Sequence, residues 1–497
     1  MRRSHGFPVQ GPAPELIDAG SAYESQGAAM LHDGLNLADL AHVLDLRDRG
    51  IVTDPTAVAL LQVVLDSSSI DAIGYDPQDG EPYNSRERAF AARIGPFAGW
   101  LHAGRPRREA TRLAFRIHLR RRVAHVVLAA TELAAALAQR AGEYRDTLFA
   151  DQTYLQQAQP STVGHYLLSF AYPVIRDGHR LLDVIGWLNG SPAGAGCVNG
   201  TRLLRDRSPM AQRLGFDSVI VNTRDAMWQV DGLVQLVSTL ASLALTQASL
   251  AEDLEIWASS EFDYVDLADE YTRASVLMPQ KRNPYALSMI RGTTGVLIGH
   301  VGGMLAVQKS PSARSDNLIF AYGEIPAAVE HARRMTDLTA GVVATLTMNE
   351  QRLREALAGG FSQATDVAEQ LMLSAGIDYR TAYEIVGEAV RRLAADGRTG
   401  SDLTPALLVE VAGDRLSGLP AVDPTALARA VDPAAVVATR VSVGGAAAEP
   451  VDAMVGDITA GAEALAGAAR RRLDAIDGAE RALVAEARRV VEGSRGA

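Results

Sequence analysis

Three short segments place polar side chains inside otherwise apolar, helix-like sequence. The first is Gly104-Arg105-Pro106-Arg107-Arg108-Glu109. The second runs from Thr153-Tyr154-Leu155-Gln156 through Gln159-Pro160-Ser161-Thr162-Val163-Gly164-His165. The third is Ser275-Val276-Leu277-Met278-Pro279-Gln280-Lys281-Arg282-Asn283-Pro284. Forked guanidinium groups such as Arg107 and Arg108 suit bidentate recognition of a carboxylate. An ammonium and an amide, Lys281 and Asn283, suit a harder task. Negative charge that develops during a reaction must meet preorganised positive charge and hydrogen-bond donors. Of 48 basic residues only Lys281 and Lys309 are lysines. In a chain that otherwise uses arginine, a retained lysine marks a place where a planar fork does not replace a compact ammonium. For Lys309, chance survival is the simpler reading.

These segments must be held by long helices. From Asp225 to Trp257 the apolar residues Leu233, Leu236, Val237, Leu240, Leu243, Ala244, Leu250, Ala251 and Leu254 recur at steps of three and four, a pattern that needs partner helices. Thr111 to Tyr144 and Pro284 to Gln308 look alike, the latter with Gly292, Gly295, Gly299, Gly302 and Gly303 to permit close backbone approach. Strict alternation of β-branched residues is nearly absent, so the fold class expected is all-α with a central bundle. At 497 residues two or three domains are expected. Composition shifts put an N-terminal helical domain at 1–104, its first twenty or so residues a poorly ordered arm. The long-helix bundle then occupies 105–355, and a helical domain with an alanine-rich helical tail occupies 356–497.

Composition removes several function classes. With 47% hydrophobic and 22% charged residues the chain is globular rather than disordered. A net charge of −11 disfavours nucleic acid as a partner, although a cleft inside an acidic protein can still be locally positive. The single cysteine, Cys197, can form no internal bridge, and the start of the sequence lacks the apolar run of a signal peptide, so the cytoplasm is the expected compartment. No run approaches about 18 consecutive apolar residues, so no membrane span is expected. The ten histidines are scattered, His32 and His102 being the two that could enter a cleft from another subunit. Neither metal nor other cofactor is expected.

Taken together the three segments resemble the fumarase and aspartase superfamily, and argininosuccinate lyases most closely. Supporting matches follow in order: Leu214-Gly215-Phe216-Asp217, Asn222 to Ala226, Leu250-Ala251-Glu252-Asp253-Leu254, Ala364 to Glu369 and Val441-Ser442-Val443-Gly444-Gly445. The resemblance spans roughly Leu31 to Val451 and implies a three-domain subunit, a homotetramer with a twenty-helix core, and active sites each assembled from three subunits. It implies a small dicarboxylate substrate, removal of a proton next to a carboxylate, and loss of an amine or hydroxide from the neighbouring carbon, usually releasing fumarate. Ser275 matches the catalytic serine of a loop that closes over substrate. Backbone donors and Lys281 must then stabilise its alkoxide.

The departures are as informative. The family histidine of the second segment is Tyr154 here, and the glutamate that pairs with it is Ser288. Joint replacement suggests a rebuilt proton-delivery step. A phenol near pKa ~10 matches a leaving amine in basicity, so Tyr154 either acts as the acid or fills the space of the imidazole. Pro106-Arg107-Arg108-Glu109 replaces Ser-Arg-Asn-Asp, with Arg108 either gripping substrate or pairing with Glu109 or Glu87. The family's tyrosine, glutamine and lysine that hold the arginine end of argininosuccinate fall at Arg314, Ile319 and Tyr322. A pocket that needs several hydrogen bonds cannot exchange them for isoleucine and keep the same ligand. The expected function is therefore a carbon–nitrogen lyase acting on an N-substituted succinate, with Ser275, Lys281 and Tyr154 catalytic. Arg107, Arg108, Thr153, Gln156, Asn283, Arg314 and Tyr322 would bind substrate. A dehydratase acting on a hydroxy acid and a catalytically inactive structural homologue are the alternatives. His165 and Gln159 read as structural.

Overall fold

The computed structural model describes residues 12–309, 318–418, 420 and 422–495. Arg314 falls outside them. Five long helices form the centre: Arg107–Glu143, Val163–Leu188, Asp231–Trp257, Tyr285–Gln308 and Ile319–Thr345. Alanine, leucine and arginine dominate the first and longest, residues with high helix propensity. The Val163 helix is started by Thr162, whose hydroxyl accepts the His165 amide at 3.2 Å.

Contacts at the helix ends give the bundle two distinct poles. Trp257, closing the Asp231 helix, packs its ring 5.7 Å from Phe149 and 4.6 Å from Tyr166. This is the hairpin pole, because Phe149 belongs to strand Leu148–Thr153, which pairs with Gln156–Thr162 directly after the Arg107 helix. At the other pole the Val163 helix ends against the start of the Arg107 helix. There the Arg116 guanidinium donates to the carbonyls of Trp187 at 2.8 Å and Gly190 at 3.2 Å. The 37 residues of the Arg107 helix rise about 55 Å at about 1.5 Å each, so the two poles lie far apart.

Among the described residues three large hydrophobic cores are distinct from a small cluster of Ala195, Ala226 and Met227. The largest joins the five long helices. A second gathers residues such as Leu44, Leu60, Phe90 and Leu113, and a third, with Val367, Leu371, Ile385 and Leu408, belongs to the helices that follow the bundle. One helix of 48 residues, Ala448–Arg495, lends Val451, Ile458 and Leu465 to the first core and Leu483, Ala487 and Val491 to the second. The chain before Ala28 also runs as helical turns, Pro14–Leu16, Ile17–Ser21 and Ala22–Gln26. Short two-stranded ladders break the helical pattern, and two of them carry candidate site residues.

Two of the long helices, Asp231–Trp257 and Tyr285–Gln308, are long and apolar enough to cross a membrane. The first is largely enclosed by the bundle. The second is not: Met289, Val296, Ile298 and Leu305 are 43–50% exposed, and a Cβ added at Gly292, Gly295, Gly299 or Gly302 would meet nothing. Such a stripe is an unpartnered helix face.

The arginine pole is fixed by buried polar groups. Glu109 is fully buried and accepts the amides of Gly194 and Gly196 at 2.7 Å each, tying the glycine-rich loop to the first turn of the Arg107 helix. Burial pushes its pKa up to about 7, against the pull of those amides and of Arg105. A raised carboxyl pKa favours the folded state at low pH and loses that contribution as pH rises through the folded value. Between pH 4.5 and 8 the native protein is expected to lose about 3 kcal/mol relative to Glu109→Gln in denaturant titrations. Parallel pH profiles for the two proteins would contradict this.

Candidate active site

The third segment folds into a hairpin. Strands Arg273–Ala274 and Arg282–Asn283 pair antiparallel, with Arg273 opposite Asn283 and Ala274 opposite Arg282. The next position along this ladder sets Ser275 against Lys281, and the Ser275 amide donates to the Lys281 carbonyl at 3.3 Å. The loop therefore opens from the two residues whose chemistry matters. Inside it the Ser275 hydroxyl oxygen accepts the Met278 amide at 3.0 Å. Lys281 is exposed and makes no ion pair among the described residues. Asn283 spends one amide proton on the Arg273 carbonyl at 2.9 Å, which leaves the other. Arg282 anchors the base of the hairpin to Asp266 and Asp269. Val276 and Leu277 at the tip are 108% and 86% exposed, two apolar side chains with nothing beneath them.

The second segment forms another hairpin at the same pole. Its two-residue turn is Tyr154-Leu155, and both residues have φ near +56°. Turns of this kind favour Asn-Gly, because a side chain in the left-handed region costs roughly 1–2 kcal/mol per residue. The strained turn projects Tyr154 outward, 98% exposed. Thr153 and Gln156 flank it and are also exposed. His165 bonds the Gly444 carbonyl at 3.0 Å and pairs with Ser161, a structural bridge.

Arg107, Arg108 and Tyr322 lie at the opposite pole. Arg108 pairs with Glu24 at 3.0 Å and Glu81 at 3.1 Å, where the sequence suggested Glu109 or Glu87. Glu109 is occupied with the glycine-rich loop, and Glu87 pairs with His102 at 3.2 Å. His32 likewise bonds within its own domain, to Tyr75 and the Ser67 carbonyl. Arg107 pairs with Glu81 at 3.2 Å and opens onto a cavity of about 560 Å³ bordered by Gly196, Asn199 and Thr201. The Tyr322 ring packs 4.8 Å from Phe115, and burial raises its hydroxyl pKa while Arg112 and Arg108 oppose the rise. Among the described residues no group of three or more His, Cys, Asp or Glu is placed to hold a metal.

One carboxylate escaped the sequence reading. Ser288 donates to Glu255 at 3.3 Å, and Arg291 holds the same carboxylate. Glu255 sits on the Asp231 helix, facing the position where the resemblance calls for glutamate on the Tyr285 helix. The signal was present in the string Leu254-Glu255-Ile256-Trp257, a charge among apolar residues near a helix end.

Comparison with known proteins agrees with this architecture. A lyase family model matches residues 55–299, and a model for the argininosuccinate lyase C-terminal region matches 361–438. An argininosuccinate lyase of Halobacterium salinarum is 36% identical over 429 residues, 86% of each chain. That of Haloarcula marismortui is 34% identical over 464 residues, covering 92% of this chain and 90% of its own. Among solved structures, an EDDS lyase in complex with formate superposes with a TM-score of 0.85 at 24% identity, over 98% of this chain and 97% of that one. A fumarate lyase from Mesorhizobium sp. BNC1 gives 0.71 at 18% identity, over 92% and 100%. With relatives of 34–36% identity matched over 86–92% of its length, the chain belongs to the argininosuccinate lyase family and is a carbon–nitrogen lyase of the fumarase and aspartase superfamily.

Proposed function

We propose that this enzyme eliminates an amine from an N-substituted succinate, releasing fumarate or a related unsaturated acid, and that the leaving group is not that of argininosuccinate. The observation that carries the chemistry is the pairing of Ser275 and Lys281 across the mouth of one hairpin loop. The Ser275 oxygen, made basic by the Met278 amide and the Lys281 ammonium, takes the proton from the carbon next to a carboxylate. The electron pair moves into that carboxylate, and Lys281 with the free Asn283 N–H stabilises the dianion. It then returns to form the carbon–carbon double bond as the C–N bond of the adjacent carbon breaks. The departing amine takes a proton from Tyr154.

The same geometry supports a shared site. Ser275 and Tyr154 stand at the hairpin pole and Arg107 and Arg108 at the other, so one chain cannot gather them. An antiparallel copy, docked through the bare stripe of the Tyr285 helix, brings opposite poles together. A homotetramer with a twenty-helix core and three subunits per site is the assembly that does this. A cytoplasmic setting fits a metabolic enzyme of this kind, and no nucleic acid or membrane partner enters the proposal. The pocket beside Tyr322, about 310 Å³, where Tyr23, Glu24, Glu81 and Ile319 line the walls, supports the reading of an altered leaving group.

Fumarate-like absorbance measured with a panel of N-substituted aspartates is expected to grow for at least one non-arginine amine; turnover of argininosuccinate alone would refute the altered pocket. Ser275→Ala should lower kcat by about 10²–10⁴-fold with the assembly intact, and unchanged kcat would exclude this hydroxyl as the base. Mixing inactive Ser275→Ala with inactive Arg107→Ala subunits should restore part of the activity, because some mixed sites carry neither change. No recovery after exchange of subunits would place each site within one chain. Tyr154→Phe is expected to slow turnover of amines with high pKa more than of those with low pKa. An equal effect on both would assign Tyr154 a space-filling role.

A further inference from the structure

The glycine-rich loop, residues 194–201, meets the first turn of the Arg107 helix through Glu109. One oxygen of that carboxyl takes the Gly194 amide and the other takes the Gly196 amide. Gly194, Gly196 and Gly200 have φ of +72°, +63° and +86°, the left-handed region that glycine enters without steric cost. The loop doubles back so tightly that a Cβ at Gly196 would lie 2.6 Å from the Gly200 carbonyl oxygen, and the Gly200 amide donates to the Ala195 carbonyl at 3.0 Å. Arg207 holds the preceding Ala193 carbonyl at 2.7 Å, and the Thr223 hydroxyl reaches the Val198 carbonyl at 3.3 Å.

The same loop walls the Arg107 cavity. Cys197 and Asn199 are exposed, and with Gly196 and Thr201 they border the space of about 560 Å³ that Arg105, Arg107 and His102 also line. Thr201 packs so closely on Gly104 that a Cβ there would lie 2.7 Å from its hydroxyl oxygen. Loop and arginine segment are thus in contact, and movement at Gly196 changes the shape of the pocket around Arg107.

Two amide donors need two acceptors. An ionised carboxylate offers one on each oxygen, whereas a protonated carboxyl turns one oxygen into an O–H donor that faces an N–H donor. One anchor of the loop is then lost. Burial raises the Glu109 pKa to about 7, while the two amides, Arg105 and Arg207 pull it down. Arg105 is itself paired with Asp39 at 2.5 Å, and Arg207 donates to the Ala193 and Ile220 carbonyls at 2.7 Å each. Above this pKa both amides are held, and below it one is released.

We propose that Glu109 is a positioning residue: its carboxylate fixes the glycine-rich loop beside Arg107, and uptake of a proton releases the loop and weakens the pocket's hold on a substrate carboxylate. The step from loop to substrate rests on the reading of Arg107 as a carboxylate-binding residue; the hold of Glu109 on the loop does not.

Cys197 is the only cysteine and is exposed, so a trifluoroacetonyl group on its sulfur reports the loop by fluorine NMR in the full-length protein. Its resonance should move with pH about a midpoint near 7 in the unaltered protein. It should stay fixed in Glu109→Gln, whose amide, like the protonated acid, offers a single acceptor. In unlabelled enzyme KM for the N-substituted succinate it turns over should rise about fivefold from pH 8 to pH 6, the order of one lost hydrogen bond, and Glu109→Gln should show the higher KM at both, with kcat affected less. A resonance that does not move, or that moves alike in both proteins, overturns the proposal, as does a pH dependence of KM that the substitution leaves intact. Arg107→Ala separates the two layers. An unchanged KM there refutes the carboxylate reading of Arg107 and with it the step to substrate, whereas the fluorine titration decides the hold on the loop. Should Glu109→Gln fail to fold, hydrogen exchange across residues 191–203 of the unaltered protein, corrected for intrinsic rates, takes its place. At least one more protected amide at pH 8 than at pH 6 supports the hold, and equal protection refutes it.

Discussion

The length of one helix governs what this chain can do. Arg107–Glu143 carries Arg107 and Arg108 on its first turn and delivers the chain, at its last, into the hairpin that ends in Tyr154. About 55 Å of uninterrupted helix keeps these groups apart. The antiparallel helices that follow return the chain to each pole in turn, which places Ser275 and Lys281 with Tyr154 and leaves Tyr322 with the arginines. The candidate site residues are therefore divided between the two poles of one subunit. The stripe of glycines and apolar residues on the Tyr285 helix accompanies that division as a helix face with no partner helix over it among the described residues.

The arginine pole shows why arginine is so heavily used. Arg112, Arg116 and Arg120 recur every four residues along one face of the Arg107 helix and stack on Trp228, Trp187 and Phe216 at 5.4, 4.1 and 4.5 Å. Arg116 and Arg120 then turn their edges to the carbonyls left over at the end of the Val163 helix and in the following loop. A planar fork does both at once, with the face on an aromatic ring and the edge on carbonyls, whereas an ammonium offers no face. Lys281, on an exposed loop and without an ion pair among the described residues, has neither kind of neighbour.

Much of this was legible in the sequence. Helical periodicity marked the bundle, and the ten residues from Ser275 to Pro284 marked the loop, which folds as a hairpin with Ser275 and Lys281 joined through their backbones. What could not be read were contacts between residues far apart in the chain. Arg108 pairs with Glu24, 84 residues away, because the helical turns before Ala28 pack beside the first turn of the Arg107 helix, and nothing in local spacing foretells that. The hairpins were hidden for another reason. Their strands are short and polar, so no alternation betrays them. The left-handed Tyr154-Leu155 turn uses side chains that the usual turn signals exclude.

That turn bears on how the proton-delivery step was rebuilt. Strain at two adjacent residues persists only when something outweighs it, and here it fixes the direction of a phenol at the outermost point of the hairpin. On the matching helix surface the carboxylate expected at position 288 has not vanished. Glu255, one helix over, reaches the Ser288 hydroxyl and is held by Arg291. On the proposed reading of Tyr154 as the acid, replacement of the histidine and transfer of its acidic partner form one change rather than two independent losses.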